Sequence, residues 1–124
     1  LADINAEDSL TKSEEVHFRV MRIVEESPSI TQREISAKLG ISLGRVNYCI
    51  NALAEKGLVK IENFKTSETK WRYVYVLTPS GIAEKAALTG RFLARKVREY
   101  EALSAEIEAL RLTSKSDGSP PEAY

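Results

Sequence analysis

The chain has 124 residues, 43% of them hydrophobic, which suits one small domain with a modest core. A single cysteine, Cys49, excludes an internal disulfide, and with a single histidine, His17, it leaves no ligand set for a zinc site. The formal charge is zero but unevenly placed: three Lys/Arg against seven Asp/Glu in residues 1–29, eight against four in residues 30–76, and seven of each in residues 77–124. A neutral total therefore hides a basic middle third, the kind of local charge that attracts phosphates.

No apolar run approaches the ~18–20 residues of a membrane span, and no basic-then-apolar leader is read, so a cytoplasmic protein without membrane contact is expected. Residues 1–12 are acidic and aperiodic and read as a flexible arm. Ser13-Glu14-Glu15 is suited to open a helix, with Val16, Val20, Ile23 and Val24 on one face and Ser27-Pro28-Ser29 as its end. Thr31-Gln32-Arg33-Glu34 has the spacing of a capping box, followed by Ile35 and Leu39 on a short helix that Gly40 closes. Ser42 caps the next helix, which runs to Lys56 and stops at Gly57; Val46, Ile50 and Leu53 form its apolar face. Leu58–Phe64 and Trp71–Leu77 are rich in Val, Ile and aromatics and read as strands, with residues 65–70 as a polar hairpin tip. The Trp71, Tyr73, Tyr75 stripe reads as packing, but strand parity does not choose between it and the stripe of Val74 and Val76. Thr78-Pro79 starts a last helix that continues to about Leu112, with Gly90 as a candidate bend. Residues 113–124 have the composition of a disordered tail.

The predicted fold is mainly α with a small β-hairpin wing: a winged helix-turn-helix over residues 13–78, followed by a long C-terminal dimerisation helix over residues 79–112. The Gly40-Ile41-Ser42 turn leaves almost no slack between two helices, so the second crosses the first and points its N-terminus outward. In DNA-binding proteins of this design the second helix enters the major groove and a wing lies near the backbone. With Val46, Ile50 and Leu53 inward, Gly44, Arg45, Tyr48 and Asn51 point away and Asn47 lies at the flank. Arg45 suits guanine, the asparagines suit adenine, Tyr48 suits a phosphate or a base, and Gly44 removes bulk beside DNA. Ser42 stands at the N-terminus of this helix. Thr31 and Gln32 offer backbone N–H groups to a phosphate, and Lys65, Lys70 and Arg72 are phosphate candidates on the wing. Cys49, at the edge of the core stripe, reads as a buried inert thiol rather than a redox sensor.

On the last helix, Leu93, Val97, Tyr100, Leu103, Ile107 and Leu110 make a broad apolar stripe, interrupted in strict heptad register by Ser104 and Arg111. So long a stripe exceeds what a small domain buries, which predicts pairing with a second copy as a short coiled coil or bundle. Packing back onto the first helix is the alternative. No Ser/His/Asp set, metal cluster or phosphate-binding glycine loop is found, so neither an enzyme nor a cofactor is expected.

The stretch Thr31-Gln32-Arg33-Glu34-Ile35-Ser36-Ala37-Lys38-Leu39-Gly40-Ile41-Ser42, with Val46, Leu53, Glu55-Lys56-Gly57-Leu58-Val59, Leu77-Thr78 and Gly81, resembles the MarR family of bacterial transcriptional regulators over residues 13–112. Leu43-Gly44-Arg45-Val46-Asn47-Tyr48-Cys49 and Tyr73-Val74-Tyr75-Val76-Leu77-Thr78-Pro79 resemble its branch associated with exopolysaccharide (EPS) genes. The resemblance implies a homodimer on double-stranded DNA that regulates transcription, with exopolysaccharide biosynthesis genes as targets. Two departures stand out. The family's wing Asp-x-Arg is replaced by Ser67-Glu68-Thr69-Lys70-Trp71-Arg72, and the chain is short for the family's terminal dimerisation helices, which leaves a small-molecule effector open. Two other functions remain open: architectural DNA binding without sequence preference, and a winged helix used for protein–protein assembly.

Overall fold

The computed structural model describes residues 10–68 and 70–116, apart from the side chains of Phe64, Thr66 and Trp71. The elements are α1 (Lys12–Glu26), α2 (Gln32–Leu39), α3 (Leu43–Glu55), β1 (Val59–Ser67), β2 (Lys70–Leu77) and α4 (Pro79–Ser116). This is the expected class: three short helices, a two-stranded antiparallel wing and one long helix. Residues 1–9 of the expected arm and 117–124 of the expected tail lie outside the described residues.

Local chemistry accounts for most helix ends. Thr31 and Glu34 form a reciprocal capping box at α2, Gly40 closes that helix in the left-handed region at φ +67°, and Ser42 Oγ accepts the Arg45 N–H to start α3. Helix α1 starts earlier than Ser13 suggests. Thr11 is its cap, paired with Glu14 in a second capping box, because Thr11 has the partner three residues on that the box requires. The inward face of α1 is centred slightly differently from the expected stripe. Phe18, Val20, Met21 and Val24 are buried, while Val16 and Ile23 are only partly covered.

These side chains meet Ile30, Ile35, the α3 stripe of Val46, Cys49, Ile50 and Leu53, and then Val59, Tyr75 and Leu88 in one core. Each large aliphatic side chain there contributes roughly 1.5–3 kcal/mol by leaving water. Burial pushes the Cys49 thiol up to about 11, so it stays protonated and unreactive at neutral pH.

The hairpin settles the strand parity. Val59 pairs with Leu77, Ile61 with Tyr75 and Asn63 with Tyr73, so odd-numbered residues of both strands share one face. Tyr75 is buried and Val76 is exposed. The Tyr75 N–H donates to the Pro28 carbonyl at 3.1 Å, which holds that face against the α1–α2 connection. Pairing continues past a register shift to Ser67 opposite Lys70, so Lys65 and Lys70 belong to the strands and the tip is shorter than residues 65–70.

Helix α4 is continuous through Gly90 and extends to Ser116, beyond Leu112. At about 1.5 Å per residue its 38 residues span roughly 57 Å. Its first part is fixed to α1. Phe92 stacks on Phe18 with ring centroids 5.0 Å apart, Arg91 pairs with Glu14, Arg95 with Glu15, and Lys85 with Glu25. A backbone N–H from Thr11 and then the Arg91 guanidinium hold the Glu14 carboxyl below the usual range; Arg19 and then Arg95 do the same for Glu15. Carboxylates lowered in the folded state add stability above their ordinary pKa, and that stability is lost as pH falls through the ordinary range toward the lowered values. Denaturant unfolding is therefore expected to show a steeper loss of stability below about pH 4.5 in the native chain than in the Glu14→Gln, Glu15→Gln double variant. Equal pH profiles for the two would remove this role.

Candidate nucleic-acid interface

The turn between α2 and α3 is fixed by four bonds. The Gly40 and Ile41 N–H groups donate to the Ser36 carbonyl, the Ser36 hydroxyl donates to the Ile41 carbonyl, and the Ser42 cap closes the next turn. With its core stripe fully covered, α3 has no rotational freedom about its axis. Gly44, Arg45, Asn47, Tyr48 and Asn51 are consequently all exposed, Tyr48 at 77%. An added Cβ at Gly44 would meet nothing within 4 Å, so the chain itself gives no packing reason for a glycine there.

Between α3, the start of α2 and the wing lies an open cleft of about 620 Å³. It gathers Thr31, Gln32, Asn47 and Asn51, which the sequence placed in the site, together with Arg72. Arg45 and Tyr48 lie on the other flank of α3, beside Ser42, Gly44 and His17. Burial and then the Lys56 charge hold the His17 imidazole below its usual range. Lys65 and Lys70 stand further out on the hairpin, exposed.

Two expectations change in detail. The Thr31 N–H already donates to Glu34 Oε1 at 2.9 Å, so a phosphate at the start of α2 would have to displace that carboxylate or use the amides of Gln32 and Arg33. The Gln32 side chain turns inward: its Nε2 donates to the Tyr75 hydroxyl at 3.3 Å, and its Oε1 accepts from Asn47 Nδ2 at 3.4 Å. Asn51 Nδ2 in turn donates to Asn47 Oδ1 at 3.2 Å.

Arg19 and Arg22 of α1 and Lys85, Arg91, Arg95 and Lys96 of α4 each form an ion pair with a carboxylate. Among the described residues, Arg33, Lys38, Arg45 and Arg72 form none. These four lie on α2, α3 and the wing, where a polyanion would meet them, while Lys12, Lys56, Arg111 and Lys115 likewise form no ion pair elsewhere on the described residues. Arg33 and Lys38 were not singled out from sequence; for Arg33 the signal was available in its position between the capping-box partners and opposite Ile35 on the helix. Tyr75 was read as packing alone, and its hydroxyl contact to Gln32, 43 positions away, leaves no local signature. Among the described residues no group of His, Cys, Asp or Glu could hold a metal ion, and no helix is long and apolar enough to cross a membrane.

A family model described as winged helix-turn-helix DNA-binding matches residues 13–60. No curated protein matches the chain. Among solved structures, the chain is similar to S. aureus MepR in complex with DNA, at 19% identity and a TM-score of 0.61, over 88% of this chain and 79% of that one. A Mycobacterium tuberculosis MarR family protein in complex with p-aminosalicylic acid is 18% identical with a TM-score of 0.59, over 84% and 78% of the two chains. CouR from Rhodococcus jostii, bound to p-coumaroyl-CoA, is 19% identical with a TM-score of 0.59, over 88% and 76%. The fold is therefore the winged helix-turn-helix found in MarR-family regulators.

Proposed function

We propose that this protein is a homodimeric, sequence-specific transcriptional regulator that places α3 in the major groove of double-stranded DNA and its wing near the backbone. The observation that carries this reading is the α3 surface: a helix held by its buried stripe presents Arg45, Asn47, Tyr48 and Asn51 outward, beside Arg33 and Arg72, which form no ion pair among the described residues. MepR, of the same fold, is seen bound to DNA, which supports the partner. Residues 13–78 are the DNA-binding unit in this reading, and α4 is the pairing helix. The apolar stripe of Leu93, Val97, Tyr100, Leu103, Ile107 and Leu110 is exposed along it, and pairing would bury the stripe and present two copies of α3 to a pseudo-palindromic site. Exopolysaccharide genes as targets rest on the resemblance of residues 43–49 and 73–79 to that branch. A small-molecule effector is suggested only by the ligands of relatives with this fold. The protein acts without a cofactor, as a binder rather than an enzyme, in the cytoplasm.

Titrating promoter DNA from upstream of the protein's own operon against salt tests this. Specific binding is expected to exceed binding to unrelated duplex by ~10³ or more, with affinity falling steeply as salt rises. Tight binding without sequence preference would favour the architectural reading, and no binding at low salt would exclude DNA altogether. Arg45→Ala is expected to weaken specific binding by about 1–3 kcal/mol and to relax discrimination at one base pair per half-site. Because Arg45 is exposed, thermal melting should stay unchanged. An Arg45→Ala protein that still discriminates as the native chain does would remove that contact.

A further inference from the structure

Four side chains from three elements form one hydrogen-bonded line. It starts at the Tyr75 hydroxyl on β2, passes through the Gln32 amide at the first position of α2, and ends on Asn47 and Asn51 of α3. The links measure 3.3, 3.4 and 3.2 Å, so each is weak by itself. Their anchor is rigid. The Tyr75 ring is 4% exposed, and its backbone N–H is tied to Pro28. Gln32 is half-buried and engaged at both ends of its amide, whereas Asn47 and Asn51 are exposed.

We propose that Tyr75 and Gln32 are positioning residues for base reading: the tyrosine hydroxyl holds Gln32, and Gln32 holds the Asn47–Asn51 pair in the geometry that recognises adenine. This rests on the DNA-binding reading above. An exposed asparagine samples several rotamers and must be ordered when it binds; one held beforehand avoids that cost. In the line as it stands, Asn51 donates one N–H to Asn47 and keeps its Oδ1 and a second N–H. That acceptor and donor together match the N6 amine and N7 of adenine in the major groove. Gln32 itself touches no base in this arrangement, and Tyr75 acts two residues away from the reading edge.

The test is selection of binding sites from a randomised duplex library with the native chain, Tyr75→Phe and Gln32→Met, followed by affinity measurements on single base-pair variants of the selected site. Tyr75→Phe keeps the buried ring and removes only the hydroxyl; Gln32→Met keeps the length of the side chain and removes both amide ends. Each variant is expected to lose about tenfold of its discrimination at the same A·T position of the half-site, the scale of one bidentate contact. For Tyr75→Phe, affinity for unrelated duplex and the slope against salt should not change, since no candidate phosphate contact is touched. Should Tyr75→Phe fail to fold, Gln32→Met decides alone. Variants that bind with native discrimination overturn the positioning role, as does a uniform loss at every base pair, which would mark general damage to the interface. A native chain that binds no duplex overturns the DNA-binding reading and this inference with it.

Discussion

Gly81→Ala is expected to destabilise the fold by about 3 kcal/mol, seen as a thermal midpoint lowered by roughly 10–15 °C. The cause is backbone, which cannot step aside as a side-chain tip can. A Cβ on Gly81 would overlap the Leu58 carbonyl oxygen and come within 2.7 Å of Leu77 Cδ2. That carbonyl is held in place: it accepts the Thr78 N–H at 3.1 Å, while the Thr78 hydroxyl donates to the Gly57 carbonyl at 2.6 Å and accepts the Gly81 N–H at 3.0 Å. The first turn of α4 is thus stitched to the junction of α3 and β1, and an added methyl has to separate the wing from the long helix. Gly44→Ala is the control of opposite sign. That site is open, its φ is not in the left-handed region, and alanine there should raise stability by up to about 0.5–1 kcal/mol. A Gly81→Ala protein that melts with the native one would refute the close contact.

The Val97→Glu, Ile107→Glu double variant is expected to sediment as a monomer and to bind its DNA site at least about 100-fold more weakly, because the second half-site is no longer reached at high effective concentration. Both side chains are exposed in the single chain, at 45% and 43%, so the monomer's own core loses nothing. In a paired stripe each would bury a charge against apolar neighbours, which pairing cannot tolerate. Ending the chain near Gly90 would also be expected to yield a monomer. It is the poorer experiment, because Phe92, Arg91 and Arg95 lie beyond that point and fasten α4 to α1. Their loss would weaken the fold as well as the pairing. A native chain that sediments as a monomer at micromolar concentration, or a double variant that remains a dimer, would remove the α4 interface from the proposal.

Packing back on α1 describes the first part of α4 and leaves the rest exposed, as the proposed pairing requires. Up to Arg95 its inner side rests on α1 through the Phe18–Phe92 stack and three interhelix ion pairs. From Lys96 to Thr113 every residue is exposed. The apolar period continues unbroken through that boundary, so the sequence pattern alone could not mark it.

What the sequence by itself determined is what short-range bonding controls. The capping box at Thr31, the left-handed glycines Gly40 and Gly57, the Ser42 cap and the Thr78-Pro79 start each involve partners a few residues apart, and each lies where its residue type requires. The face of α3 was legible for the same reason, since a helical period and three large aliphatic residues leave one orientation. Only the tertiary structure decided the rest. Whether Tyr75 or Val76 points inward depends on Pro28, 47 positions away, and Phe18 is buried because Phe92 meets it. Gly81 is constrained by a carbonyl in another element, and Gly90, with the same residue type in the same helix, by nothing within 4 Å. Contacts between distant residues follow from how elements pack, and no window along the chain contains both partners.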